Sequence, residues 1–85
     1  MQTIKYKIKD ENGIHARPAG MLVKATTGFV SDFKISKGEK SADAKKLFGL
    51  MGLGVKQGDE IIIEIAGDDE EAAKERLEEF LNSNL

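Results

Sequence analysis

Eighty-five residues, 40% hydrophobic and 33% charged, set the scale of one small globular domain spanning residues 1–85. A core of that size folds without metals or disulfides. There is no cysteine, which excludes disulfides, thiolate chemistry and cysteine-based metal sites, and one histidine with no acidic pair beside it builds no zinc site, so neither metal nor cofactor is expected. No run approaches the ~20 apolar residues of a membrane span, and the first residues lack a signal-peptide pattern, so a cytoplasmic location is expected.

Thr3 to Lys9 alternates Ile4, Tyr6 and Ile8 with Lys5, Lys7 and Lys9, a period of two that predicts a half-buried strand. Asp10-Glu11-Asn12-Gly13 reads as a loop. From Ala16 to Thr27 the residues Ala19, Leu22, Val23 and Thr26 keep helical spacing, and Gly28 stands where a C′ glycine is expected. Phe33 and Ile35 predict a second strand, Lys37-Gly38-Glu39 a tight turn, and Lys40-Ser41-Ala42 a short third strand. The glycine-rich run Leu47-Phe48-Gly49-Leu50-Met51-Gly52-Leu53-Gly54 has room for only one or two helical turns, starting near Lys45 or Lys46. Gln57-Gly58-Asp59 turns the chain into Glu60 to Ala66, whose isoleucines read as a central strand. After Gly67-Asp68-Asp69 a last helix runs to about Asn82, burying Ala73, Leu77, Phe80 and Leu81, with acidic residues in the first turn where its dipole favours them. The order βαββαβα predicts an α+β fold in two layers, a four-stranded antiparallel sheet with three helices on one face.

Charge is unevenly distributed. Residues 1–56 hold eleven Lys/Arg against five Asp/Glu, and residues 57–85 hold two against ten. Such an asymmetry suits an acidic protein partner on the basic side. The lysines are dispersed over strands with few aromatic residues among them, which argues against nucleic acid as that partner.

The basic part contains the only histidine, in Gly13-Ile14-His15-Ala16-Arg17-Pro18-Ala19-Gly20. Histidine titrates near neutral pH and offers a nitrogen nucleophile. A helix start offers unpaired N–H groups and positive potential, a site suited to phosphate. Here Ala16 and Arg17 supply backbone N–H donors and the Arg17 guanidinium adds charge-assisted bonds, while Pro18 has no N–H but fits a first helical turn. Asparagine, glycine and proline frame a loop-to-helix junction that puts the cap at His15 or next to it. Pro18 biases Arg17 away from helical geometry, which leaves the exact position open between them. The competing interpretation makes His15 merely a helix cap on an α+β interaction module.

These residues resemble the active-site motif of the HPr family, the histidine phosphocarriers of the bacterial phosphoenolpyruvate:sugar phosphotransferase system. Lys45 to Gly54, with Leu47-Phe48-Gly49-Leu50-Met51, resembles the family's second motif, and the likeness covers the whole chain. The resemblance implies an open-faced β-sandwich. It implies that phospho-Enzyme I phosphorylates His15 on Nδ1, that Arg17 assists at the phosphoryl group, and that sugar-specific IIA domains receive it. A carrier of this kind is no enzyme in the usual sense, and a monomer is the natural expectation. A regulatory HPr-like protein that binds targets according to its phosphorylation state is the runner-up.

Helical spacing places Arg17, Gly20, Met21 and Lys24 opposite Leu22, Val23 and Thr26, so Met21 is expected at the surface beside the histidine. In the short helix Leu50 and Leu53 are expected in the core, whereas Leu47, Phe48 and Met51 cannot all point inward. They are either core filler or an apolar docking patch, and the resemblance favours docking, with Lys24 and Lys45 as its basic rim. The chain departs from many family members at one position. Where those carry a regulatory serine at the start of the short helix, this chain has Lys46, which has no hydroxyl to phosphorylate, and neither Ser36 nor Ser41 falls at the matching position.

Overall fold

The computed structural model describes all 85 residues. Its elements are β1 (Gln2–Lys7), α1 (Ala16–Thr27), β2 (Asp32–Lys37), β3 (Lys40–Asp43), α2 (Leu47–Gly52), β4 (Glu60–Ala66) and α3 (Glu70–Asn84). The strands form one antiparallel sheet in the order β1-β4-β2-β3. The isoleucine-rich strand is therefore central, and β1 and β2 run parallel to one another on either side of it, joined by the α1 crossover.

Register explains the core. Ile4 of β1 lies opposite Ile63, which lies opposite Ile35 of β2, while Tyr6 faces Ile61 and Phe33 faces Ile65. With a side-chain period of two, these residues share one face, and Ile61, Ile63 and Ile65 are wholly buried. The helices cover that face with Ala19 and Leu22 from α1, Leu50 from α2, and Ala73, Leu77, Phe80 and Leu81 from α3. At roughly 1.5–3 kcal/mol for each large apolar side chain removed from water, this layer dominates the stability. No helix is long and apolar enough to cross a membrane.

The boundaries of α1 and β4 are those the sequence predicts, and several others move. β1 ends at Lys7, because the Asp59 N–H turns away to Lys56 O at 3.0 Å and the Ile8 carbonyl accepts from Gly58 instead, at 2.9 Å. β3 extends one residue to Asp43, which lies opposite Lys34. α3 extends two residues beyond Asn82, and the N–H groups of Lys9 and Asp10 donate to the oxygen of Leu85 at 2.7 and 3.0 Å. Gly28 is not the left-handed C′ residue expected. It is a C-cap with φ −75°, and its N–H donates to Thr26 O.

Two devices fix α1 and the loop before it. The Thr26 hydroxyl is fully buried and reaches Leu22 O at 3.0 Å and Ala44 O at 3.2 Å, which ties α1 to the turn before α2. Gly13 has φ +62°, and a Cβ there would stand 2.2 Å from Val55 O. Only glycine fits both that conformation and that approach. The next residue, Ile14, donates its N–H to the same Val55 O at 3.1 Å. The Val55 loop is held in turn by Lys37, whose Nζ donates to Gly54 O at 2.9 Å and pairs with Asp59 at 3.0 Å. Asp59 also accepts the Lys56 N–H at 2.8 Å, and these contacts, the backbone bond foremost, hold its carboxyl below the ordinary carboxylate range.

Asp69 anchors the opposite end of the molecule. Its carboxylate accepts the Ser31 hydroxyl at 2.5 Å and the N–H groups of Val30 and Ser31 at 2.9 and 3.0 Å, joining the start of β2 to the N-cap of α3. The Ser31 hydroxyl is the foremost cause holding the Asp69 carboxyl below its ordinary range. A depressed acid contributes stability above its unfolded pKa and loses it as pH falls through the folded one. The melting temperature is therefore expected to fall once pH drops below ~4, the ordinary aspartate value. Asp69→Ala should start lower at neutral pH and lose less on acidification. Parallel acid melting curves of the two proteins would show that Asp69 contributes nothing.

Candidate functional site

Loop 10–15 delivers His15 to the N-cap of α1. The backbone of His15 is extended, with φ −97° and ψ −174°, and its carbonyl accepts the first helical bond from the Ala19 N–H at 3.0 Å. Its side chain makes no capping bond and is exposed. The imidazole therefore contributes nothing to closing the helix, which removes the physical motive for the cap interpretation. Arg17 is helical despite the proline after it, and Pro18 sits at the third helical position with its ring buried.

The helix start is electrostatically open. Ala16 and Arg17 donate their N–H groups to no protein acceptor, Pro18 has none, and no acidic side chain occupies the first turn. Unpaired donors and the positive end of a twelve-residue dipole thus meet beside the imidazole. The side chains of His15 and Arg17 line a polar depression of about 350 Å³ with Asp10, Asn12, Pro18, Met21, Ser83 and Asn84. Such donors are chemically suited to a small anion beside a nitrogen nucleophile, with a guanidinium to share the charge.

Four of those lining residues escaped the sequence reasoning. Asp10 and Asn12 are close in the chain and could have been found as the loop feeding the motif. There the Asp10 carboxylate accepts the Asn12 N–H at 2.8 Å in an Asx turn. Ser83 and Asn84 carry no sequence signal, because only the packing of α3 against α1 brings the end of α3 to the histidine.

Arg17, Gly20, Met21 and Lys24 form an exposed face of α1. On α2, which packs against α1, Leu50 is buried and the following Leu53 almost wholly so. Phe48 is 86% exposed, and Leu47 and Met51 are exposed as well. This overturns the core-filler reading of Phe48 and Met51. Six residues give fewer than two turns, and Leu50 occupies the inward side. Lys45 does not form part of a free basic rim. Its Nζ donates to Phe29 O at 2.9 Å and lies 5.6 Å from the centroid of the Phe33 ring, so it secures the 29–33 segment. Lys46 is the exposed N-cap of α2 and makes no side-chain capping bond.

Fold and site together define a small open-faced α+β domain that displays an exposed histidine at a helix N-terminus. The family model described as "PTS HPr component phosphorylation site" matches residues 2–83. The chain is 41% identical over 81 residues to the phosphocarrier protein HPr of Lysinibacillus sphaericus, covering 95% of this chain and 92% of that protein. It is 46% identical over 77 residues to the phosphocarrier protein HPr of Buchnera aphidicola, covering 91% of each. A crystal structure of HPr from Thermoanaerobacter tengcongensis superposes with a TM-score of 0.93 at 37% identity, covering 98% of this chain and 93% of that one. The chain belongs to the HPr family of the phosphotransferase system.

Proposed function

We propose that His15 accepts a phosphoryl group on Nδ1 from phospho-Enzyme I and passes it to a sugar-specific IIA domain, in the cytoplasm. The observation that carries this reading is the exposed His15 imidazole at a helix start whose two available N–H groups have no protein acceptor. In the phosphorylated state those donors and the Arg17 guanidinium receive the phosphoryl oxygens, and the group remains at the surface where a second protein can reach it. The chain acts as a transient phosphohistidine intermediate and turns over no substrate alone. Incubation with phosphoenolpyruvate and Enzyme I should add the mass of one phosphoryl group, stable in alkali and labile in acid. An unchanged mass would contradict the assignment.

Gly20 lets a partner approach α1 closely, while Met21, Leu47, Phe48 and Met51 supply the apolar centre of docking and Lys24 its charge. Desolvating one phenyl ring contributes about 2 kcal/mol. Phe48→Ala should therefore raise the KM of Enzyme I for this protein about thirtyfold and leave the maximal rate and melting temperature unchanged. A KM within twofold of the parent would remove Phe48 from the interface.

Lys46 bears on regulation. A kinase that phosphorylates the family's serine at the start of the short helix should leave this chain unmodified with ATP, because no hydroxyl is present there. Lys46→Ser should make it a substrate, since the apolar surface beside the site is intact and an anion at a helix N-terminus is favoured. ATP-dependent phosphate mapped to Ser36 or Ser41 in the parent protein would overturn this.

A further inference from the structure

α1 and α3 leave a second depression between them, about 490 Å³ in volume, which none of the residues so far given a role explains by itself. Met21, Lys24 and Ala25 of α1 face Arg76, Phe80 and Asn84 of α3 across it. The spacing is that of two helical stripes, i, i+3, i+4 on one side and i, i+4, i+8 on the other. Phe80 is almost wholly buried and makes an apolar floor with Ala25 and Met21, while Lys24 and Arg76 are exposed cations on opposite walls. Neither cation has a salt-bridge partner within the chain.

The position of Arg76 is informative because α3 is otherwise mostly acidic, with Lys74 as its only other cation and that residue outside the groove. The helix contains Glu70, Glu71, Glu75, Glu78 and Glu79, yet its one arginine lies on the stripe beside the basic face of α1. Met21 and Asn84 line both this groove and the depression at His15, so the two are continuous. Arg17, Lys24 and Arg76 consequently form a cationic strip leading from the histidine across two helices.

We infer that the groove between α1 and α3 is a second docking site for the phosphoryl-donor protein, taking an acidic segment with an apolar side chain, and that Arg76 is its specificity-determining residue. The inference rests on the phosphocarrier reading and extends its interface from α1 and α2 onto α3. The donor is the partner in question because the strip is most positive before His15 carries a phosphoryl group. Transfer places negative charge at Arg17 and weakens the attraction, which favours release of the donor afterwards. The apolar floor seats the segment, and the two cations set its sign and register.

The test compares Enzyme I-dependent phosphorylation, driven by phosphoenolpyruvate, for the parent, Arg76→Glu, Arg76→Gln and Lys5→Glu. The last changes net charge as much as Arg76→Glu, from an exposed position on β1 outside the groove. At low salt Arg76→Glu should lower kcat/KM about tenfold through KM, Arg76→Gln by less, and Lys5→Glu by no more than about twofold, given the reach of surface-charge effects on association. The difference should fade near 0.5 M salt, where the screening length is about 4 Å. Arg76→Gln keeps the assay decisive if the charge reversal does not fold. Parental kinetics for both Arg76 variants would overturn the groove while leaving the carrier reading intact, and equal slowing by Lys5→Glu would replace it with a general effect of net charge. A parent that Enzyme I does not phosphorylate would overturn both. Sedimentation showing a dimer that Arg76→Glu dissociates would assign the groove to a second copy of the chain and overturn the donor assignment.

Discussion

His15→Ala is expected to accept no phosphoryl group from Enzyme I, yet to melt at the temperature of the parent. The first part follows from composition, since the chain has no second histidine and no cysteine to serve as a substitute nucleophile. The second follows from geometry. The imidazole is exposed and caps no N–H group, while the bond that closes the helix comes from the His15 backbone carbonyl, which alanine retains. Removing a side chain that caps a helix costs about 1 kcal/mol, which for a domain of this size shifts the midpoint by roughly 4–8 °C. A shift of that size would restore the capping role, and a fully phosphorylated alanine variant would refute the assignment of the acceptor.

Arg17→Ala should still be phosphorylated, but about a hundredfold more slowly, in line with the loss of one preorganised donor to developing negative charge. The histidine and the Ala16 N–H remain in that variant, so attack is possible while part of the charge stabilisation is gone. The effect is expected in the transfer rate at saturating Enzyme I, because Arg17 lines the depression that contains the imidazole. Arg17→Lys should recover only part of the rate, as a point charge does not reproduce a bidentate guanidinium. Single-turnover kinetics separate the two parts of its role. A change confined to KM would make Arg17 a docking residue, and transfer within twofold of the parent would leave it without either role.

Much of this arrangement was legible in the sequence where local rules decide the outcome. The bounds of α1 follow from twelve residues of apolar spacing between a loop and Gly28, and those of β4 from an isoleucine run between two glycine turns. The neighbourhood of His15 and Arg17 was equally legible, since the residues that supply it are consecutive. Other features depend on contacts across the fold. Over the six residues of α2 the sequence places Leu50 inward but leaves Phe48 and Met51 open between core filler and surface, and only the packed fold puts them outside. Lys45 reads as a free cation until the Phe29 carbonyl and the Phe33 ring fold beneath its ammonium. The end of α3 lies about seventy residues from the histidine in the sequence, so Ser83 and Asn84 gave no sign that they line its depression. Gly13 shows the same limit, because a loop glycine is ordinary until Val55 O is found where its Cβ would stand.

A carrier must give up what it accepts, and the most direct measurement follows that second half-reaction. The phosphorylated chain, freed of Enzyme I and phosphoenolpyruvate, is mixed with a IIA domain, and the phosphoryl group is traced by rapid quench and intact-protein mass. The account predicts that the mass added to this chain disappears as an equal amount appears on the IIA domain, with no matching release of inorganic phosphate. Phosphoryl retained on His15 in the presence of functional IIA domains, or lost only to water, would contradict it.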